Sequence, residues 1–124
     1  MKEKRKEALI KYLNSNSLNK IYRNLCVFYK KQQNNLYDMY IIFDDDSDGN
    51  ITQYEYDHYC SYLYRIEKLK KYFYERYNNY LSLKKYDNYT YKQYIDENLE
   101  YIADFILKHD KYYNTFKHIF LKTN

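Results

Sequence analysis

The chain has 124 residues, a formal charge of +4, no Pro, no Trp and a single Gly. That length suits one compact domain or two small helical lobes, and one Gly cannot write a dinucleotide fingerprint or a phosphate-cradling loop. Residues counted as hydrophobic reach 45%, but they include 21 Tyr, so the interior must be built partly from phenols whose polar tips stay wet or hydrogen-bonded.

With almost no helix breakers, the chain reads as mostly helical with short connections. Residues 2–13 carry a modest apolar stripe (Ala8, Leu9, Tyr12, Leu13) that predicts a short helix. A polar break at 14–17 follows, and Ser17 is placed to cap a second helix in which Leu18, Ile21, Tyr22, Leu25, Phe28 and Tyr29 recur at helical spacing. The polar stretch 30–35 reads as a fray or turn. A third helix then presents Leu36, Met39, Tyr40 and Phe43 on one face and stops at an acidic run, 44–50. Beyond it Tyr56, Tyr59, Cys60, Leu63 and Ile66 return to helical spacing, and a Tyr-rich helix covers about 69–81. After an interruption at 84–88, Ile95, Leu99, Ile102, Phe105 and Ile106 mark a strongly amphipathic helix, and Tyr113, Phe116, Ile119 and Phe120 mark a last one. No long stretch alternates with period two, so the expected class is all-α.

The acidic run carries the chemistry. Counted as a twelve-residue loop from Asp44 to Glu55, it has Asp44, Asp46 and Asp48 at positions 1, 3 and 5, Gly49 at 6, Asn50 at 7, Ile51 at 8, Thr52 at 9 and Glu55 at 12. A hard cation such as Ca²⁺ seeks six to eight oxygens. Alternate residues of a tightly wound loop point inward, so the three carboxylates converge. The sharp reversal at position 6 needs a positive φ, and the only Gly of the protein stands there. Asn50 offers its backbone carbonyl, Thr52 acts directly or through a water, and Glu55 reaches back from the next helix with both oxygens. Ile51 points away from the ion. Apolar residues flank the loop where a helix–loop–helix unit buries them: Leu36, Met39, Tyr40 and Phe43 before, Tyr56, Tyr59, Cys60 and Leu63 after.

Over residues 36–67 the chain resembles the EF-hand superfamily, which includes calmodulin, troponin C and the regulatory lobes of Ca²⁺-dependent kinases. The resemblance implies Ca²⁺ binding, with Mg²⁺ as a competitor. It also implies a second hand whose loop joins the first by a short two-stranded contact at position 8. The candidate is 82–93, or 83–94 one residue later. Either register fails as an ion site: Ser82 and Lys84, or Leu83 and Lys85, hold positions 1 and 3, and Gln93 or Tyr94 holds position 12. The segment reads either as a silent hand that folds without metal or as an ordinary helix–turn–helix. One ion is expected in both cases.

The expected architecture is therefore an EF-hand pair with extra terminal helices: an N-terminal helical segment (1–35), the intact hand (36–67), a degenerate hand-like unit (68–108) and a C-terminal helix (109–124). The resemblance implies a Ca²⁺-responsive regulatory protein, or a structural adaptor or light-chain-like subunit in which Ca²⁺ only stabilises the fold. Met39 is the sole internal Met, so the adaptable surface that lets one protein grip many targets is missing, and a dedicated protein partner is expected. The positive charge suggests an amphipathic helix or acidic surface on that partner. No nucleic-acid-binding motif is present, and His58, His109 and His118 form no i, i+4 metal pair and no nucleophile–base constellation, so no enzyme is expected. Cys26 and Cys60 match no C-x-x-C spacing and read as half-buried thiols of a reducing compartment. With no apolar leader at the N-terminus, Lys rather than Gly at position 2 and no long apolar run, the chain reads as cytoplasmic, without a transmembrane segment.

Overall fold

The structure, a computed structural model, describes residues 2–45, 52–86 and 88–121; for residues 2 and 39–45 it describes the backbone alone. Five α-helices account for nearly all of them: α1 (Lys2–Ser15), α2 (Leu18–Asp45), α3 (Gln53–Lys84), α4 (Tyr91–Leu107) and α5 (Asp110–Phe120). There is no strand among the described residues, as the all-α reading expects.

Local signals set the helix starts. Ser17 caps α2, its hydroxyl accepting from the Lys20 amide at 3.1 Å. A second donor of that first turn, the Leu18 amide, is satisfied from across the fold by the Tyr91 phenol of α4 at 2.7 Å. Thr90 heads α4 with a full capping box: its hydroxyl accepts from Gln93 N at 3.1 Å, and Gln93 Oε1 accepts from Thr90 N at 2.7 Å. Thr90→Ala removes one half of that pair and is expected to cost about 1 kcal/mol of stability, read as a lower urea midpoint at unchanged slope.

Two expected breaks do not occur. The polar stretch 30–35 lies inside α2, and the exiting helix and the Tyr-rich helix are one 32-residue helix, α3. Polarity marked solvent-facing helix rather than a turn: Lys and Gln are good helix formers, and neither stretch holds Gly or Pro. The 35/36 and 67/68 divisions therefore fall inside unbroken helices.

The core gathers Leu9 and Leu13 of α1, Leu18, Ile21 and Leu25 of α2, Ile66, Leu69 and Phe73 of α3, Tyr94, Ile95, Ile102, Ala103 and Ile106 of α4, and Tyr113 and Phe116 of α5. These are the stripes that periodicity selects, and Tyr94 and Tyr113 are buried phenols, although the Tyr94 hydroxyl is buried without the hydrogen-bond partner expected of it. Aromatic contacts knit the helices together. Tyr72 stacks on Phe105 at 3.8 Å, while Phe116 meets Tyr12 at 5.8 Å, Phe73 at 5.9 Å and Phe120 at 4.7 Å. The basic N-terminal stretch is partly neutralised from within, by Arg5–Asp110 at 3.1 Å and Lys6–Asp104 at 3.2 Å. Helices α2 and α3 run antiparallel, since Tyr22 meets Tyr74 while Phe28, later on α2, meets Tyr62, earlier on α3.

Buried phenols tie stability to alkaline pH. Burial pushes the Tyr72 hydroxyl up to about 12 from an ordinary 10, against an opposing pull from Arg76. It also raises Tyr62, Tyr91 and Tyr94. The folded chain keeps these protons where the unfolded chain has lost them, so their contribution is intact below pH 10 and is lost as pH rises through 10 towards 12. Tyrosinate absorbance is expected to rise first for exposed phenols, and then steeply for the rest, in step with loss of the helical circular dichroism.

Candidate metal centre

The candidate loop joins α2 to α3 and is described at its two ends. Asp44 is in the last turn of α2, where only its backbone is described, and Asp46, Asp48, Gly49, Asn50 and Ile51 lie outside the described residues. Thr52 and Glu55 are defined. Thr52 is the N-cap of α3 (φ −84, ψ 162), with its hydroxyl accepting from Glu55 N at 3.1 Å and donating to Glu55 Oε1 at 3.2 Å. The Tyr56 amide donates to the Thr52 carbonyl at 2.9 Å, closing the first helical turn. Helix thus takes over at loop position 10, and the position-12 carboxylate stands on the third helical residue.

That arrangement fits a hard cation. Glu55 is half-buried, pairs with no Lys or Arg among the described residues, and takes only the Thr52 hydroxyl on one oxygen. Its remaining lone pairs, and those of Thr52, are oxygen donors of the kind Ca²⁺ prefers. A carboxylate in the first turn is also favoured by the positive end of the helix dipole. Among the described residues no group of three or more His, Cys, Asp or Glu side chains converges as a metal site.

The helices that flank the loop form an arm. The first buried residue of α3 is Leu63, eleven residues after Thr52 or about 16 Å along the helix, and none of residues 26–38 of α2 is buried. Of the flanking apolar positions, Leu63 is buried, Leu36, Tyr59 and Cys60 are half-buried, and Tyr56 is exposed. The side chains of Met39, Tyr40 and Phe43 are outside the description. Both thiols, Cys26 and Cys60, are free and half-buried.

At the second candidate, α3 ends at Lys84, a turn with Asn88 at φ 67 follows, and α4 begins after Thr90. The turn and its caps reveal a repeat that hydrophobic periodicity overlooked: Asn50-x-Thr52-x-x-Glu55-Tyr56 returns as Asn88-x-Thr90-x-x-Gln93-Tyr94. In both, Thr caps a helix through the residue three places on. This favours the 82–93 register for helix α4. The Gln93 side chain is committed to the Thr90 amide, and the exposed Lys84 and Lys85 stand at the C-terminal end of α3, where its dipole favours positive charge.

The two junctions do not meet. An unbroken α3 of 32 residues keeps its ends, Thr52 and Lys84, about 48 Å apart along the helix, and the short two-stranded contact expected between paired loops is not shown among the described residues. The missing breaker near residue 67 is the physical reason.

Sequence reasoning also missed a groove between α3 and α5, with Arg65, Lys111 and His118 in its lining. These residues are far apart in the chain, and no local pattern brings them together. No helix among the described residues is long and apolar enough to cross a membrane. Compared with models of known protein families, with curated proteins and with solved structures, the chain matches none of them.

Proposed function

We propose that this protein binds one Ca²⁺ ion through an EF-hand made by the end of α2, the connecting loop and the start of α3. Asp44, Asp46, Asp48, Thr52 and Glu55 supply side-chain oxygens and Asn50 its carbonyl, with Mg²⁺ as a competitor. One observation carries the reading: acidic or oxygen-bearing residues occupy every ligand position, and the protein's only Gly occupies the position that requires one. The start of α3 supports it, because Thr52 caps that helix so that Glu55 stands in the first turn. Asp44, Asp46 and Asp48 would hold the ion, whose charge would offset the repulsion among their carboxylates. Thr52, through its bond to Glu55 N, holds the helix start in register for Glu55.

The ion acts as a signal to a dedicated protein partner in the cytoplasm. Placing the site beside an arm favours local control: an ion held there alters the surface offered by α2 and α3 without repacking the core around Phe73 and Phe116. A partner presenting an amphipathic helix or an acidic surface fits the basic, Tyr-rich exterior. The alternative is a structural adaptor or light-chain-like subunit in which Ca²⁺ stiffens the arm alone. Tb³⁺ luminescence sensitised by the neighbouring Tyr residues tests the site: an emission that Ca²⁺ displaces supports it, and none at all contradicts it. An apolar dye separates the roles, since new fluorescence on Ca²⁺ addition marks an opening sensor and unchanged fluorescence marks the adaptor.

A further inference from the structure

Helices α3 and α5 enclose a groove of about 680 Å³, and Arg65, Ser61 and Lys111 also line an adjoining hollow of about 470 Å³. Arg65 is fixed there from two directions. Its Nε donates to Thr115 Oγ1 at 3.1 Å, and its guanidinium centre lies 5.7 Å from the Tyr62 ring centroid. Thr115 is itself buried and donates to the Lys111 carbonyl at 2.8 Å, so the anchor belongs to the fold. With Nε occupied, the planar fork of the two Nη groups is left for another acceptor.

Neither Arg65 nor Lys111 pairs with a carboxylate among the described residues, whereas Arg5 and Lys6 both do. The single acid in the lining among the described residues, Asp57, already accepts from Gln53 Nε2 at 2.9 Å. The remaining wall combines Gln32, Ser61 and Asn114 with aromatic side chains. His58 lies near-parallel to Tyr54, at 15° and 6.5 Å, and His118 stands edge-on to Tyr62 at 6.4 Å. Residues 58, 61 and 65 share one stripe of α3 that is about 10.5 Å long, so the cationic end and the aromatic end are two turns apart.

We propose that this groove binds a phosphate monoester carrying an aromatic ring, with the phosphate on Arg65 and Lys111 and the ring against the His58 end. A phosphate takes the bidentate fork of a guanidinium and a second point charge from an ammonium. A planar ring stacks on aromatic side chains at modest entropic cost. The groove has the size of a small-ligand site. It uses none of the proposed calcium ligands, although Tyr54 of its wall stands at position 11 of that loop, so titration with and without Ca²⁺ tells the two readings apart.

The test is titration of the full chain with adenosine 5′-monophosphate, and separately with inorganic phosphate, followed by calorimetry. Saturable binding of the nucleotide is expected, at least about tenfold tighter than inorganic phosphate, because the ring contributes. Arg65→Gln and Lys111→Gln should each weaken it about tenfold or more, while Lys92→Gln, whose charge is paired with Asp96 on α4, leaves it unchanged. Lys111 is exposed, so its variant keeps the test decisive where loss of the Arg65–Thr115 bond disturbs the fold. No saturable binding up to about 1 mM, equal affinity for inorganic phosphate, or indifference to Lys111→Gln would each overturn the proposal.

Discussion

Glu55→Gln is expected to abolish most of the Ca²⁺ affinity while leaving the protein folded. Removing a group that only orients a metal ligand typically costs about 10–100-fold in affinity, so removing a ligand should cost at least about 100-fold. That corresponds to roughly 2.8 kcal/mol of binding free energy. Gln is also the residue that sits three places after the cap at the start of α4, where its side chain bonds the Thr90 amide. The backbone bond from residue 55 to the Thr52 hydroxyl does not depend on the charge, so α3 should start where it does now. Helical circular dichroism without Ca²⁺ should match the parent, and a titration should show the lost binding. A variant that unfolds would mean that Glu55 serves the helix rather than the ion.

Phe116→Ala should have the largest effect on stability. The ring is fully buried and touches Tyr12 of α1, Phe73 of α3 and Phe120 of its own helix, so three elements lose a shared contact at once. A Phe-to-Ala truncation in a closed core costs about 3–5 kcal/mol, through lost transfer energy and the cavity left behind. Against a total of about 5–15 kcal/mol for an ordinary domain, this is enough to leave the chain marginal. Tyr54→Ala, removing a ring that is 80% exposed at the arm, should change stability by no more than about 0.5 kcal/mol. Urea denaturation of the two variants measures both. Equal losses would contradict a core confined to the body of the molecule.

Much of this architecture can be read in the residues themselves. The stripes through Leu18, Ile21 and Leu25, and through Ile95, Ile102 and Ile106, face the core because one side of each helix is apolar. Ser17 signals its helix start, and the structure uses it. Other features were hidden because they depend on what is missing or on what is distant. The stretch 30–35 looks like a turn by polarity, yet nothing in it opposes helix, and the same holds near residue 67. Continuity of α3 then separates the two junctions, a consequence of length that no motif count reports. The Tyr91 hydroxyl satisfying the Leu18 amide, and Thr115 holding Arg65, join residues 73 and 50 positions apart. The candidate ion site is the opposite case. Its logic is local, twelve consecutive residues with one Gly, so sequence carries it more fully than helix packing does.

Isothermal calorimetry of Ca²⁺ into chelator-stripped protein tests the central claim most directly. The expected result is a stoichiometry near one, with heat removed by Glu55→Gln and unaffected by Gln93→Ala at the second junction. Two bound ions, or no saturable binding, would contradict a single live hand at the α2–α3 junction.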